Sequence, residues 1–294
     1  MILDLLTFDP GLACENPSAY ADEIMCRIEK SWDSGADLVL LPEFTWMGLE
    51  PFVEKQASDP NIYHALSRVF WETLLPRMQQ RLARAGKAVI MGTVPCVDSD
   101  THRVFNRAPI LDSGILRYQD KLHLTPWEGE FSPGGILYLW EFQGFRIAIV
   151  ICLDIEIPEI SARLRGDDVD LILCPSATES LMGVERVNRC ASARSVELGC
   201  HVAVCHLTGN AHSELVDENM GRLAFYSPSQ AAFKNAVREI ETDIYTSGFH
   251  QLRVNLDQHP LRLMRRLKAE TNPAHIGKEF AGHFTIHQVE SSFT

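Results

Sequence analysis

The amino-acid sequence predicts a mixed α/β sandwich in which helices pack on the outside of β-sheets. Along the chain, apolar segments with helical periodicity alternate with apolar segments of strand character. Several of the strand segments are continuously apolar, as expected for strands that are buried on both faces. Two further segments have the pattern of a tight hairpin. Because a hairpin forces antiparallel pairing, an all-parallel sheet is the less favoured alternative.

Helices are predicted where apolar residues recur with helical spacing. In the first helix, Ile24, Ile28 and Trp32 recur at four-residue steps and form one apolar stripe. The pair Ser34-Gly35 ends this helix. Two further helices are predicted, at about residues 64–85 and 185–198.

Short apolar runs bounded by turn residues predict the strands. The single strands lie in the segments DLVLLP (37–42), KAVIMGTV (87–94), DLILCPSA (170–177), HVAVCHL (201–207) and HQLRVNL (250–256). The two hairpins lie in residues 107–124, with a turn at Ser113-Gly114, and in residues 137–152, with a turn at Gln143-Gly144.

The composition is that of a globular protein with an acidic balance. The 294 residues contain 27 Lys and Arg against 39 Asp and Glu, which gives a net charge of −12 at pH 7. Nucleic-acid phosphates and anionic membranes both require a basic surface, so we expect neither as a partner. The length lies in the range of single α/β domains, and we expect one domain over residues 1–294.

No segment of the sequence has the pattern of a membrane span or of an export signal. The longest apolar runs, such as RIAIVICL, are far shorter than the roughly 20 residues that span a bilayer. The N-terminal segment MILDLLTFDP lacks a basic n-region and a small-residue cleavage site. We therefore expect no secretory signal and a cytoplasmic protein.

The eight cysteines carry no signature of a metal site or of a disulfide framework. None of them forms a CxxC pair, and no Cys/His group has the spacing of a zinc site. A cytoplasmic protein keeps its thiols reduced, and most buried cysteines are simply small apolar residues. We therefore expect no metal and no other cofactor, and only its position along the chain can single out one cysteine.

Three chemically reactive side chains stand at the ends of predicted strands. Glu43 follows LVLLP, Lys121 ends the second strand of the first hairpin, and Cys152 ends IAIVIC. In α/β folds, reactive groups collect beyond the carboxyl ends of strands. Taken alone, each residue has an ordinary structural explanation, as a helix-start carboxylate, a solvated lysine and a core thiol. Together they make a base, an oxyanion donor and a nucleophile.

These residue types suffice for cleavage of an amide carbon–nitrogen bond. A neutral thiol attacks an amide carbon poorly, so Glu43 would take the proton of Cys152. The ammonium of Lys121 and the backbone N–H of Leu153 would stabilise the oxygen that becomes anionic. Ammonia or an amine then leaves, a thioester remains on the cysteine, and Glu43 activates the water that hydrolyses it.

The segments that carry these residues resemble the three signature segments of the nitrilase superfamily of carbon–nitrogen hydrolases. The segments are LVLLPEF, YQDKLHLTPWEGEFSPGG and IVICLDIEIPE, with 78 residues from Glu43 to Lys121 and 31 residues from Lys121 to Cys152. The resemblance continues through DLILCPSAT and covers most of the chain. It implies a four-layer α-β-β-α sandwich, a homodimer or larger even homo-oligomer, and catalysis by the three residues.

The resemblance also implies a second glutamate beside the lysine, for which Glu128 and Glu130 are the candidates. The PWE context favours Glu128 as the catalytic one, and we expect Glu130 to contact the substrate. Substrate contacts are also expected from Ala177 and from Leu153, which stands where the family often has Tyr or Trp.

Two enzymatic functions would use the same residues, and the sequence does not choose between them. The first is hydrolysis of a small amide or nitrile, with an amidase favoured over a nitrilase. The second is acyl transfer from Cys152 to an amine or alcohol. A catalytically silent oligomeric scaffold is a third hypothesis, which is disfavoured because such a protein has no reason to retain Glu43, Lys121 and Cys152 together.

Overall fold

Two β-sheets face each other in the protein, and helices cover their outer faces. The computed structural model describes residues 1–213 and 215–267. In this part of the chain, the α-β-β-α sandwich expected from the sequence is confirmed. The expectation of one domain over residues 1–294 extends to residues 268–294, which lie outside the described residues.

The α-helices of the described residues are α1 (Pro17–Asp33), α2 (Ile62–Arg68), α3 (Leu75–Arg81), α4 (Pro158–Leu164), α5 (Leu181–Leu198) and α6 (Gln258–Leu267). None of the helices in this part of the chain combines the length and the apolar character that crossing a bilayer requires. The strands are β1 (Ile2–Leu6), β2 (Leu38–Leu41), β3 (Ala88–Met91), β4 (Val94–Val97), β5 (Val104–Asp112), β6 (Ile115–Asp120), β7 (Leu139–Phe142), β8 (Phe145–Ile149), β9 (Leu171–Ser176), β10 (His201–His206), β11 (Gly209–Asn210), β12 (Glu218–Asn219), β13 (Leu223–Tyr226), β14 (Glu239–Glu241) and β15 (Gln251–Asn255).

Both sheets have a parallel centre and antiparallel edges. The first sheet has the order β15-β1-β2-β3-β5-β4, with β6 paired to the other side of β5. The second sheet has the order β14-β13-β10-β9-β8-β7. Pairing is parallel among β1, β2 and β3 and among β8, β9 and β10. The strands β11 and β12 form a separate two-stranded ribbon.

The alternation of side chains along β2 explains why its sequence is continuously apolar. Leu38 and Leu40 pack in the core between the two sheets, together with Leu173 of β9. Val39 points to the opposite face and packs in a second core with Ile24 of α1. A strand that is covered on both faces needs apolar residues at every position.

The strand order brings four chain segments to one end of the sandwich. Glu43 follows β2, Cys152 follows β8 and Ala177 follows β9, each beyond the carboxyl end of a strand with a parallel neighbour. Lys121 follows β6, the last strand of the first hairpin. The carboxyl ends of β2 and β8 lie in different sheets, so a site at this end is built from both.

The helix predicted at residues 64–85 is wrong in its continuity and in its end. The structure has α2, a wide π-helical turn over Val69–Leu74 and then α3, which ends earlier than predicted. Pro76 has no backbone N–H and cannot donate the regular α-helical hydrogen bond. The N–H of Leu75 reaches back five residues to the carbonyl of Phe70, which widens the turn just before the proline.

Two strand predictions also need correction. The N-terminal strand β1 was not predicted, although it lies inside the first sheet between β15 and β2. The segment 87–94, predicted as one strand, forms β3 and the start of β4. Gly92 lies between the two strands with a left-handed φ of 71°, which breaks the extended conformation.

Gly92 and Gly86 are a matched pair for a stability prediction. Both have left-handed backbones, with φ of 71° and 70°. A Cβ at Gly92 would overlap the carbonyl oxygen of Pro42 and the side chain of Thr45, whereas a Cβ at Gly86 would meet nothing within 4 Å. We expect Gly86→Ala to lower the free energy of unfolding by about 1 kcal/mol through backbone strain alone. Gly92→Ala should lower it by about 2 kcal/mol more, through overpacking. Urea unfolding midpoints measure the difference, and equal midpoints would contradict it.

Candidate active site

The side chains of Glu43, Lys121 and Cys152 are buried and line one crevice at the end of the sandwich. Their chain segments come from β2, from the β5–β6 hairpin and from β8, so the crevice joins both sheets. The structure therefore brings together the three residues that the sequence placed at strand ends.

The ammonium of Lys121 is shared by two carboxylates. Its Nζ lies 2.8 Å from Oε1 of Glu43 and 2.7 Å from Oε2 of Glu128. An unpaired charge at this depth would be costly, so the two carboxylates are what allow a fully buried lysine to remain charged. Of the two glutamates that the sequence offered, Glu128 is the one that reaches the lysine.

Glu130 lies outside the crevice. Its side chain is exposed and accepts a hydrogen bond from Nδ2 of Asn61 at 2.9 Å. This placement does not support the substrate contact that was expected of Glu130.

An asparagine that the sequence analysis did not single out joins the two carboxylates. Nδ2 of Asn106 lies 3.0 Å from Oε1 of Glu43 and 3.0 Å from Oε1 of Glu128, and the side chain is fully buried on β5. The backbone carbonyl of Asn106 also accepts a hydrogen bond from the N–H of Lys121 at 2.9 Å. The four residues therefore form a closed ring of hydrogen bonds.

Cys152 stands in a sharp turn after β8. Its φ is 46°, in the left-handed region that is uncommon for residues other than glycine and that recurs at functional sites. Its Sγ lies 3.5 Å from the carbonyl oxygen of Ala177. The N–H of Ala177 donates to Oε2 of Glu43 at 3.1 Å. Ala177 thus contacts both the thiol and the carboxylate, and it lines the crevice.

The carboxylate of Asp154 links the segment after Lys121 to the turn that contains Cys152. Its buried carboxylate accepts hydrogen bonds from the backbone N–H groups of Leu122 at 3.0 Å and of His123 at 2.7 Å. Nδ1 of His123 lies 2.8 Å from the same carboxylate. Because Leu122 adjoins Lys121 and Asp154 lies two residues after Cys152, these bonds fix the lysine relative to the thiol.

Burial and charge set the protonation states of the three groups. Burial raises the pKa of Glu43 to about 6; the charge of Lys121 opposes this effect and that of Glu128 adds to it. Burial also lowers the pKa of Lys121, but the charges of Glu43 and its neighbours outweigh burial and hold that pKa above its usual value. Burial, and then the charge of Glu43, raise the pKa of the Cys152 thiol. At neutral pH the crevice therefore holds an ammonium, a largely ionised Glu43 and a neutral thiol.

The crevice is small, with a volume of about 70 Å³, and part of its wall is apolar. The apolar side chains in the wall are those of Phe44, Trp127, Leu215 and Val216. Leu153, expected to contact the substrate, is not among the residues that line it.

Among residues 1–213 and 215–267, no group of three or more His, Cys, Asp or Glu side chains has the geometry to hold a metal ion.

The sequence is similar to those of known hydrolases and amidases. Residues 12–232 match the family model of the carbon–nitrogen hydrolases. A probable hydrolase from Bacillus subtilis, YhcX, is 26% identical over 221 residues, which cover 73% of this chain and 42% of that protein. A deaminated glutathione amidase from Synechocystis sp. is 27% identical over 192 residues, which cover 60% of this chain and 66% of that protein. The chain thus spans less than two thirds of the length of either relative.

A solved structure confirms the architecture. A carbon–nitrogen hydrolase superfamily protein from Xanthomonas campestris superposes with a TM-score of 0.69, over 96% of this chain and 98% of that one, at 20% sequence identity. At this identity, the likeness concerns the fold.

Replacement of Glu128 by Gln is expected to lower the pKa of Glu43. The negative charge of Glu128 raises that pKa, and its removal leaves Lys121 paired with Glu43 alone. Both changes favour the ionised form, so the pKa should fall from about 6 toward the ordinary value of 4.5. A ¹³C NMR titration of the glutamate carboxyls measures this pKa, and Glu43→Gln identifies the signal by deleting it. A pKa of 6 or higher in Glu128→Gln would contradict the charge balance described above.

Proposed function

The chain belongs to the carbon–nitrogen hydrolase family, and from this premise we propose that it hydrolyses the carbon–nitrogen bond of a small amide through a thioester on Cys152. The observation that carries the proposal is the junction at Ala177, where a neutral thiol and an ionisable carboxylate meet beside a buried ammonium. A thiol with a raised pKa needs a base before it can attack, and Glu43 is the carboxylate within reach.

Acylation begins when Glu43 takes the thiol proton as Sγ of Cys152 forms a bond to the amide carbon. The carbonyl oxygen becomes an oxyanion, for which the ammonium of Lys121 and the N–H of Leu153 are the proposed donors. When the intermediate collapses, the carbon–nitrogen bond breaks and Glu43 returns its proton to the leaving nitrogen. Ammonia or an amine departs, and the acyl group remains on sulfur.

Deacylation repeats the same proton transfers with water. Glu43 removes a proton from a water molecule as its oxygen attacks the thioester carbon, and the proton returns to Sγ as the carboxylic acid leaves. A base with a pKa of about 6 is ionised at neutral pH and remains a competent acid in the following step.

Two observations favour a small amide as the substrate. A volume of about 70 Å³ holds only a few non-hydrogen atoms beside Cys152 unless the walls move apart. The Synechocystis relative is named as an amidase, which supports an amide over a nitrile. The net charge of −12 makes nucleic acids and anionic membranes poor partners, so a small molecule is the proposed ligand.

The protein is also proposed to form a homodimer or a larger even homo-oligomer. The edge strands β6 and β7 expose apolar side chains, among them Ile115, Leu116, Tyr118 and Leu139. Exposed apolar strand edges favour association. Analytical ultracentrifugation at micromolar concentration should show a species of at least twice the chain mass of 33.1 kDa. Sedimentation of a 33.1 kDa species alone would contradict the assembly.

Turnover of a panel of small amides tests the reaction itself. We expect release of ammonia or an amine together with the carboxylic acid. Rapid-quench mass spectrometry should find an acyl adduct on Cys152 that clears as fast as it forms, and hydroxylamine should convert this adduct to a hydroxamate. An acyl-enzyme that persists in water until an amine or alcohol is added would instead establish an acyltransferase, which must exclude water to protect its intermediate.

Two cysteine variants provide the control. Cys152→Ala should give neither adduct nor turnover while its melting temperature stays close to that of the wild type, because one atom is lost beside an open crevice and the backbone is unchanged. Cys200 is fully buried and does not line the crevice, so Cys200→Ala should keep full turnover and lose about 1 kcal/mol of stability. Turnover by Cys152→Ala would refute the thioester.

A further inference from the structure

The two oxygens of the Glu43 carboxylate have different hydrogen-bond partners. Oε1 accepts from Nζ of Lys121 at 2.8 Å and from Nδ2 of Asn106 at 3.0 Å. Oε2 accepts from the N–H of Ala177 at 3.1 Å. A carboxylate oxygen has about two positions for hydrogen-bond donors. Oε1 is therefore saturated, whereas Oε2 keeps one position for a further donor.

The oxygen that keeps a free position is also the one on the side of the thiol. Ala177 donates its N–H to Oε2 and accepts from Sγ of Cys152 through its carbonyl, at 3.5 Å. Both atoms thus lie against the same residue. Oε1 lies on the other side of the carboxylate, against the lysine and the asparagine.

From this asymmetry we infer that Asn106 is a positioning residue that occupies Oε1 of Glu43 and thereby leaves Oε2 as the atom that takes the proton of Cys152. The inference rests on the proposed function, in which Glu43 is the base. Asn106 is fully buried and is not among the residues that line the crevice, so it acts through Glu43 and not on the substrate.

The orientation of the Asn106 amide follows from its neighbours. Both hydrogens of Nδ2 are used, one by Glu43 and one by Glu128, while Oδ1 is buried without a partner among the described residues. A flipped amide would place Oδ1 against two carboxylate oxygens, which are acceptors only when ionised. The observed orientation is therefore the one that the two charges select.

A neutral donor is the appropriate group at this position. Lys121 supplies one positive charge for the two negative charges of Glu43 and Glu128. A second cation would balance the charges but would weaken the base, and an apolar residue would leave Oε1 with a single donor. An amide adds one hydrogen bond to each carboxylate without changing the net charge, so it favours the ionised base and keeps it basic.

The pH dependence of Cys152 alkylation by iodoacetamide tests this role without any knowledge of the substrate. The rate constant, followed by mass spectrometry of the peptide that contains Cys152, should rise through about pH 6 in the wild type, as Glu43 ionises. In Asn106→Leu, which keeps the approximate shape but removes the donor, the rise should move to higher pH by about one unit. The rate at pH 6 should then be about fivefold lower. Asn106→Asp adds a third carboxylate and should move the rise further in the same direction.

The outcomes distinguish the positioning role of Asn106 from the role of Glu43 as the base. A rise near pH 6 in the wild type that moves upward in both variants supports the positioning role. A rise that stays near pH 6 in both variants, even if their melting temperatures fall, overturns that role and leaves Glu43 as the base. The absence of any rise near pH 6 in the wild type overturns Glu43 as the base and the role of Asn106 with it.

Two further variants guard against a general loss of structure. Asn188 is buried and hydrogen-bonded outside the crevice, so Asn188→Leu should lower the melting temperature and leave the rise near pH 6.

If Asn106→Leu does not fold, Asn106→Ser takes its place. Serine retains one hydroxyl donor for two carboxylates, and the rise should then lie between the wild-type position and that of Asn106→Asp. A position equal to that of the wild type would overturn the inference.

Discussion

Two negative charges share one positive charge at one end of the sandwich, and all three groups are buried. Lys121 pairs with both Glu43 and Glu128, so the trio keeps one negative charge in excess. Burial makes the proton affinity of Glu43 higher than that of an ordinary glutamate; the charge of Lys121 opposes this effect and that of Glu128 adds to it. The excess negative charge also requires uncharged hydrogen-bond donors around the trio. The amide of Asn106 provides such donors, and so do the backbone N–H and the hydroxyl of Thr125.

The fold assembles the site from segments of both sheets. No single strand or hairpin contains both Glu43 and Cys152, which come from facing sheets. Continuous apolar runs predicted β2, β8, β9, β10 and the overall sandwich, because burial on both faces of a strand leaves such a run, but β1 was missed. The helical pattern failed at residues 64–85, where a proline visible in the sequence widens the helix without ending it. The sequence shows that Pro76 must disturb a regular α-helix. Whether the helix ends or widens at the proline depends on packing.

The catalytic candidates were predictable to unequal degrees. Glu43, Lys121 and Cys152 stand at strand ends, which is a signal in the sequence itself. Glu128 and Glu130 are two residues apart in a loop, and only the path of the loop decides which one reaches the lysine.

The sequence analysis missed Asn106, although its position in a buried strand was a signal. It shares the buried face of β5 with Val104 and Ala108, and asparagine is unfavourable in a buried strand unless a partner satisfies it. The sequence does not identify that partner, since Glu43 lies 63 residues away.

The backbone of Ala177 contacts both the carboxylate of Glu43 and the thiol of Cys152. Because one residue holds both groups, a displacement or a backbone change at the end of β9 alters the surroundings of Sγ and of Oε2 at the same time.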